Sequence, residues 1–412
     1  MQSVFKIPER YNYVIPERRG TKRLQVEGHQ LEKILVEALD INLERARGLL
    51  ESRSTRVLKY KDEITYIALR RDVAGHYEGT SIIIDRKGNY RVVEGYPHIK
   101  RVLLLSKAVP RHFIDYVYVE EKMDGYNVRV IEFNNRILAL TRGGYICPYT
   151  TGRMEKIYGE KLRNLFDAIG DDSVVVGEVV GMENPYTRYF YPEAPEWDFF
   201  VFDIMNPNGE PLPIENRRSL ISDMGLKNVP LLARSHKDDW QTIREIVKGL
   251  EETGREGIVM KDPYYRVEPL KYTTSYINAR DIMEGMKYPF DEGHTFIFPR
   301  VLRQMFKAIE EEWSEEELLE NAYRIGKAIL IPAVESIKRY LSEGRLVEEF
   351  TLTFYTHKDL EDFILHSASL GIPLTVISLD KSEEMIKVRM VKPKRTPEYY
   401  RRIMKTGISP LD

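Results

Sequence analysis

The chain has 412 residues, 42% of them hydrophobic and 31% charged, with 62 Lys and Arg against 64 Asp and Glu. That length exceeds one simple core and predicts two to four domains. The formal net charge of -2 excludes an overall basic nucleic-acid binder, so any polyanion contact must come from a local patch. In chain order, residues 1–94 read as a small N-terminal α/β module. A helix is expected across Gly28–Arg53, with Leu31, Ile34, Leu35, Leu39 and Ile41 at helical spacing. Short strands follow, including a hairpin of 81–85 and 90–94 turned by Arg86-Lys87-Gly88-Asn89.

Residues 95–275 read as an α+β domain, with strands at 116–121, 127–133, 136–141, 173–180, 197–204 and 256–261. Helical patterns interrupt them near Gly159–Ala168 and Trp240–Thr253, and hairpin turns such as Phe133-Asn134-Asn135-Arg136 favour antiparallel sheets. Residues 276–345 turn helical. Ser314-Glu315-Glu316-Glu317 reads as a capping box, Pro332 is expected to kink or restart the helix, and Gly344 to close it. The run Ala328–Val334 is more apolar than a one-sided surface helix needs, so it packs inside the chain or against a second copy. Residues 346–412 read as a small α/β unit with a basic tail that includes Lys387, Arg389, Lys392, Lys394 and Arg395.

The most informative residue is Lys122, at the end of an alternating strand and before the turn Asp124-Gly125. A lysine is a useful nucleophile only as the neutral amine, which requires burial or neighbouring cations. Alone, Lys-x-Asp-Gly is equally a polar hairpin turn; it should arise by chance in roughly one chain in ten of this length. The polar residues that follow in apolar strands change the odds. Glu178 interrupts Ser173–Gly181, where an unpaired carboxylate would cost several kcal/mol. Arg142 ends another strand at Thr141-Arg142-Gly143-Gly144, placed to grip a phosphate or a carboxylate. Phe200 and Phe202 share a strand face by period two, and one could wall a purine. Glu256 opens the strand ending in Lys261, and Lys271 follows. Three basic groups with two carboxylates suit a triphosphate and magnesium.

These elements resemble the covalent nucleotidyltransferases, the superfamily of DNA ligases, RNA ligases and mRNA capping enzymes. The matching elements are Lys122-Met123-Asp124-Gly125, Thr141-Arg142-Gly143-Gly144, Gly177-Glu178, Phe202-Asp203, Glu256 to Lys261, and Lys271, in the order of that superfamily's motifs. The second lysine often found in the last motif is replaced here by Thr273. Glu121-Lys122 and Tyr126-Asn127-Val128-Arg129 look most like RNA ligases. An acidic helical segment stands where DNA ligases and capping enzymes carry an oligonucleotide-binding barrel. The N-terminal module and helical C-terminal half resemble the archaeal ATP-dependent RNA ligases that work as homodimers.

The resemblance implies an ATP-grasp-like ligase catalytic domain that joins RNA 5′-phosphate and 3′-hydroxyl ends through a lysine–AMP intermediate. It implies ATP as co-substrate and Mg2+ or Mn2+ as metal. Lys122 would be the nucleophile and Lys271 would contact the α-phosphate, with Asp124 holding the turn or a metal-bound water. Glu256 would bind magnesium or its waters, and Glu178 the ribose hydroxyls or the metal. Phe202 would stack on adenine and Glu120 read its amino group; Glu121, Asn127, Arg129, Arg142 and Lys261 complete the nucleotide-binding set. DNA nick sealing and capping-type transfer are the neighbouring readings, and a non-catalytic RNA-binding protein the distant one.

The single cysteine, Cys147, precludes an internal disulfide framework and suits a reducing compartment. Met1-Gln2-Ser3-Val4-Phe5-Lys6 lacks a signal-peptide core, and no apolar run approaches a membrane span, so a cytoplasmic protein is expected. Abundant Lys, Glu, Arg and Tyr with few Gln fit a thermophilic source.

Overall fold

A computed structural model describes residues 28–291, 296–382 and 384–409. The reading of the first six residues lies outside them. The chain forms two compact units. The first takes the described parts of Met1–His98, with Gly125–Asn228 and Phe350–Met390; the second takes Ile99–Asp124 and the described parts of Val229–Glu349 and Val391–Asp412. The 95–275 segment contributes residues to both units.

In the first unit come α1 (Gly28–Leu39), α2 (Leu43–Glu51), β1 (Thr55–Tyr60), β2 (Ile64–Leu69), β3 (Ser81–Ile84) and β4 (Tyr90–Val93). The second unit receives β5 (Lys100–Arg101), α3 (Leu105–His112) and β6 (Tyr116–Lys122). The first resumes with β7 (Tyr126–Phe133), β8 (Arg136–Thr141), α4 (Pro148–Ile169), β9 (Val174–Val180), β10 (Asp198–Met205), α5 (Ile214–Asp223) and β11 (Lys227–Asn228). Next, in the second, are β12 (Leu231–His236), α6 (Trp240–Glu252), β13 (Gly257–Lys261), β14 (Leu270–Thr273), α7 (Ser275–Met286), α8 (Phe298–Glu310) and α9 (Glu315–Glu343). The chain ends with β15 (Leu346–Phe354), α10 (His357–Ser369), β16 (Thr375–Lys381), β17 (Ile386–Lys394) and α11 (Glu398–Thr406).

Two expectations are corrected. The single helix over Gly28–Arg53 is two helices, because Asp40 turns left-handed (φ 49°) and Asn42 then caps α2, accepting from the Arg45 N–H at 2.8 Å. Pro332, expected to kink or restart the later helix, lies inside α9, so the helix does not restart there. The ring forfeits one backbone hydrogen bond. The capping box at Ser314–Glu317, the left-handed Gly344 cap and packing of α9 along α7 hold the helix regardless.

The first unit carries the sheets β1-β2-β3-β4 and β11-β10-β9-β7-β8. Its main core lies where α4 presents Met154, Tyr158, Leu162, Leu165 and Phe166, at helical spacing, to Val128, Val130, Val175 and Val179. The other face of β7–β8, with Ile131, Leu138 and Leu140, packs on Tyr66, Ile83 and Val93. The apolar continuity of β9 thus reflects cover on both faces. The second unit is built on β12-β6-β13-β14-β5, whose inner face (Val117, Val119, Ile258, Met260, Tyr272) is covered by α3 and α6. Its other face is polar, and the candidate chemistry stands there. No helix among the described residues is long and apolar enough to cross a membrane.

Candidate active site

Antiparallel pairing places Lys122 opposite Gly257 and Gly257 opposite Thr273, one row across three strands. The neighbouring row is Glu120, Val259, Lys271, continued by Arg101 on β5. Residues two apart share a face, so Glu120, Lys122, Lys271 and Thr273 stand together on the polar side. Gly257 is required here: at φ 150° it lets β14 approach so closely that an added Cβ would lie 2.2 Å from the Tyr272 carbonyl oxygen. This close pairing brings Glu256 beside the lysine.

Lys122 Nζ lies 2.6 Å from Glu256 Oε1, the side chains 24% and 14% exposed. Burial pushes the Glu256 carboxyl up to about 7; Asp124 adds to the rise and the Lys122 ammonium opposes it. Asp124 is ion-paired with Arg280 of α7, and burial also raises its carboxyl despite that partner. The α7 helix is fixed by Thr274, whose hydroxyl accepts from the Ile277 N–H and donates to the Arg255 carbonyl at 2.8 Å. Glu120 and Lys261 form a sealed pair, Nζ to Oε2 3.0 Å with both side chains 1% exposed. Glu121 occupies the opposite face of β6, paired with Arg255 at 3.2 Å. The same period of two that joins Glu120 to Lys122 therefore separates Glu121 from them.

The remaining expected residues belong to the first unit. Asn127 pairs across β7–β9 with Glu178, which pairs with Phe200 on β10. Asn127 Oδ1 is buried with no hydrogen-bond partner among the described residues, an acceptor suited to a ligand hydroxyl. Phe202 sits at a β-bulge between Val201 and Asp203, its ring edge-on to Tyr96 at 5.4 Å. Asp203 is buried and bonded by the Tyr96 hydroxyl and by Arg217, so it holds this strand rather than facing outward. Arg142 is exposed at its turn. Arg129 is 1% exposed and donates to the carbonyls of Gly79 (2.8 Å), Thr141 (3.0 Å), Arg142 (3.4 Å) and Glu94. Burial lowers its pKa to about 10. It ties the Arg142 turn to the N-terminal module, where Gly79 (φ 87°) packs so tightly that a Cβ would meet the Arg142 carbonyl at 2.1 Å.

Reading the sequence missed Tyr96, Arg101, Arg280, Arg300 and Arg303, which stand in no local pattern. It also left unread the parity of Glu121, which the buried Val117 and Val119 announce.

Residues 115–273 match the family described as RNA ligase, and residues 284–404 the C-terminal region of the ligase Pab1020. An uncharacterized protein of Methanocaldococcus jannaschii is 34% identical over 89% of this chain and 93% of its own. The chain belongs to the RNA ligase family. A solved archaeal ATP-dependent RNA ligase is 34% identical, with a TM-score of 0.79 over 87% of this chain and 94% of that one. A structure described as a putative ATP-dependent DNA ligase from Aquifex aeolicus is 29% identical, with a TM-score of 0.76 over 85% and 95%. The RNA ligase family match spans Lys122, Arg142, Glu178, Phe202, Glu256, Lys261 and Lys271.

Proposed function

We propose that this protein is an ATP-dependent RNA ligase acting through lysine–AMP. Lys122, as the neutral amine, bonds to the α-phosphorus of ATP while the bond to the bridging oxygen breaks and pyrophosphate departs. A 5′-phosphate oxygen of RNA then attacks that phosphorus, the P–N bond breaks and the lysine recovers a proton. Finally a 3′-hydroxyl attacks the 5′-phosphorus of the adenylylated end and AMP leaves. Such transfers need positioning and charge neutralisation above all.

The observation that carries this reading is the Lys122–Glu256 pair, 2.6 Å apart at a strand end and still partly open to solvent. Glu256 suits magnesium: a largely buried carboxylate beside Asp124, its carboxyl raised chiefly by burial, with Lys122 opposing the rise. The described residues hold no cluster of three or more His, Cys, Asp or Glu suited to a metal. Magnesium bound by Glu256, with Asp124 near, fits that set because phosphates and waters complete its shell. When bound it would neutralise phosphate charge during transfer.

Lys271 is assigned to the α-phosphate, Phe202 to adenine, and Glu178 with Asn127 to ribose. The sealed pair Glu120–Lys261 sets the adenine edge, Arg142 grips the 5′-phosphate, and Arg129 acts through the turn that carries Arg142. Glu121 is assigned to the structure of β6. The apolar residues exposed on α9, among them Leu319, Tyr323, Leu330 and Val334, are assigned to contact with a second copy; Leu330→Glu with Val334→Glu should then yield monomers by light scattering. The single buried Cys147 fits a reducing cytoplasm.

The test is incubation with ATP, GTP or NAD labelled on the transferred nucleotide. Label retained through denaturation from ATP alone, and lost in Lys122→Ala, is expected. Supplying 5′-phosphorylated RNA and DNA then assigns the acceptor; sealing of nicked DNA in preference to RNA would overturn the RNA reading in favour of the DNA ligase one.

A further inference from the structure

A second group of cations gathers beside the nucleophile from parts of the second unit outside the expected motifs. Arg101 Nη1 donates to Thr273 Oγ1 at 2.8 Å, and Thr273 stands in the row of Gly257 and Lys122. Two strand spacings, about 10 Å, therefore separate the backbone carrying that guanidinium contact from the backbone of the lysine. Arg303 of α8 donates to Asn278 Oδ1 at 3.0 Å, and Arg300, three residues before it, is held by Asp281 Oδ2 at 2.9 Å. The three guanidinium groups are close enough to repel. Burial and the nearness of Arg101 and Arg300 lower the Arg303 pKa to about 10, with Asp281 and Glu256 acting the other way. Burial likewise lowers Arg101, with Glu256 opposing and Arg300 reinforcing.

Three half-buried arginines facing two carboxylates, Glu256 and Asp281, leave an excess of positive charge. Arginine keeps its proton and presents a rigid fork matched to phosphate oxygens. A monoester phosphate brings about two negative charges; two linked phosphates bring more, and spread them over a longer path. We propose that Arg101, Arg300 and Arg303 seat the β- and γ-phosphates of ATP, and hence the pyrophosphate that leaves when Lys122 is adenylylated. This rests on the function proposed above only in taking Lys122 as the acceptor of AMP. The chain thereby places leaving-group cations on β5 and on a helix of the second unit that follows the last recognised motif.

The test separates steps that use pyrophosphate from one that does not. Arg101→Ala and Arg303→Ala, and the corresponding Lys variants, are compared with the unaltered protein after thermal unfolding verifies each fold. At limiting ATP, adduct formation should fall at least tenfold in each Ala variant, and partly recover with Lys. Adding pyrophosphate to isolated adduct runs the step backwards: its oxygen bonds to the α-phosphorus, the P–N bond breaks, and Lys122 takes up a proton as ATP forms. That release should fall comparably. Joining of RNA already bearing a 5′-adenylyl group, without ATP, should fall by a far smaller factor. An equal fall in that joining, or wild-type ATP release from the variants' adduct, overturns the proposal. An unaltered protein that forms no adduct overturns this assignment and the ligase reading together.

Discussion

Two lysine–glutamate pairs stand at one sheet of the second unit and differ most in their exposure. Lys261 and Glu120 meet at 3.0 Å with 1% of each side chain exposed; Lys122 and Glu256 meet at 2.6 Å with 24% and 14% exposed. Both use the same two functional groups. The first is shut off from solvent, so neither charge can be taken from the pair without a large cost. The second borders solvent, so its lysine can exchange a carboxylate for a phosphate. Sealing, more than chemical identity, separates a pair fixed in place from one that solvent can reach.

The largest expected effect breaks the open pair. Lys122→Ala should lower AMP transfer by at least about a thousandfold, since no nucleophile remains, while the midpoint of thermal unfolding stays near the parent's; residual adduct at the parental rate would show that another residue carries it. Breaking the sealed pair should lower stability. Lys261→Met removes the cation 3.0 Å from the buried Glu120 carboxylate, and should cost about 3–5 kcal/mol in denaturant unfolding; a loss under 1 kcal/mol would mean that water reaches this pair.

A third experiment sharpens the contrast by pH. The folded pKa of Glu256, about 7, stands above its ordinary value of 4.5. The folded state therefore holds this proton more tightly than the unfolded state does. Its contribution to stability is fully present below about pH 4.5 and is lost as pH rises through 7, by roughly 1–3 kcal/mol. Unfolding measured from pH 4.5 to 8 should show that decline in the parent and much less of it in Glu256→Gln. Equal slopes would remove Glu256 as the cause.

In the first unit, Arg129→Lys retains a charge but cannot reach four carbonyls, and should cost about 1–3 kcal/mol. It should also slow use of the 5′-phosphate more than formation of the lysine adduct, measured as separate steps. The smallest effect is Asn42→Ala, which removes the α2 cap for about 1 kcal/mol and should leave activity unchanged.

What the sequence made legible follows the range of each signal. Lys122, Glu178 and Glu256 could be read because each is a polar residue in a short apolar strand, and such an anomaly is visible within a few residues. The antiparallel character of β7 and β8 could be read from the Asn134-Asn135 turn. Arg101, Arg280 and Arg303 could not, because only tertiary pairing brings them near Lys122 and each alone is an ordinary surface arginine. Pro332 does not restart the helix for the converse reason: local preference argued for a new start there, and packing along α7 with strong caps outweighed it. The split at Asp40 was within reach, since Asn42 is a good cap residue inside an otherwise periodic run.

The chain changes unit at 98/99, 124/125, 228/229, 349/350 and 390/391, with Lys122 two residues ahead of one crossing. Neither unit can therefore be excised by one cut, and trimming after residue 349 strips strands from one while removing α11 from the other. Gene fusion or exon-like exchange has no seam to use here. Variation in such a polypeptide is channelled into substitutions along its whole length, and a minimal fragment retaining self-adenylylation should prove hard to make.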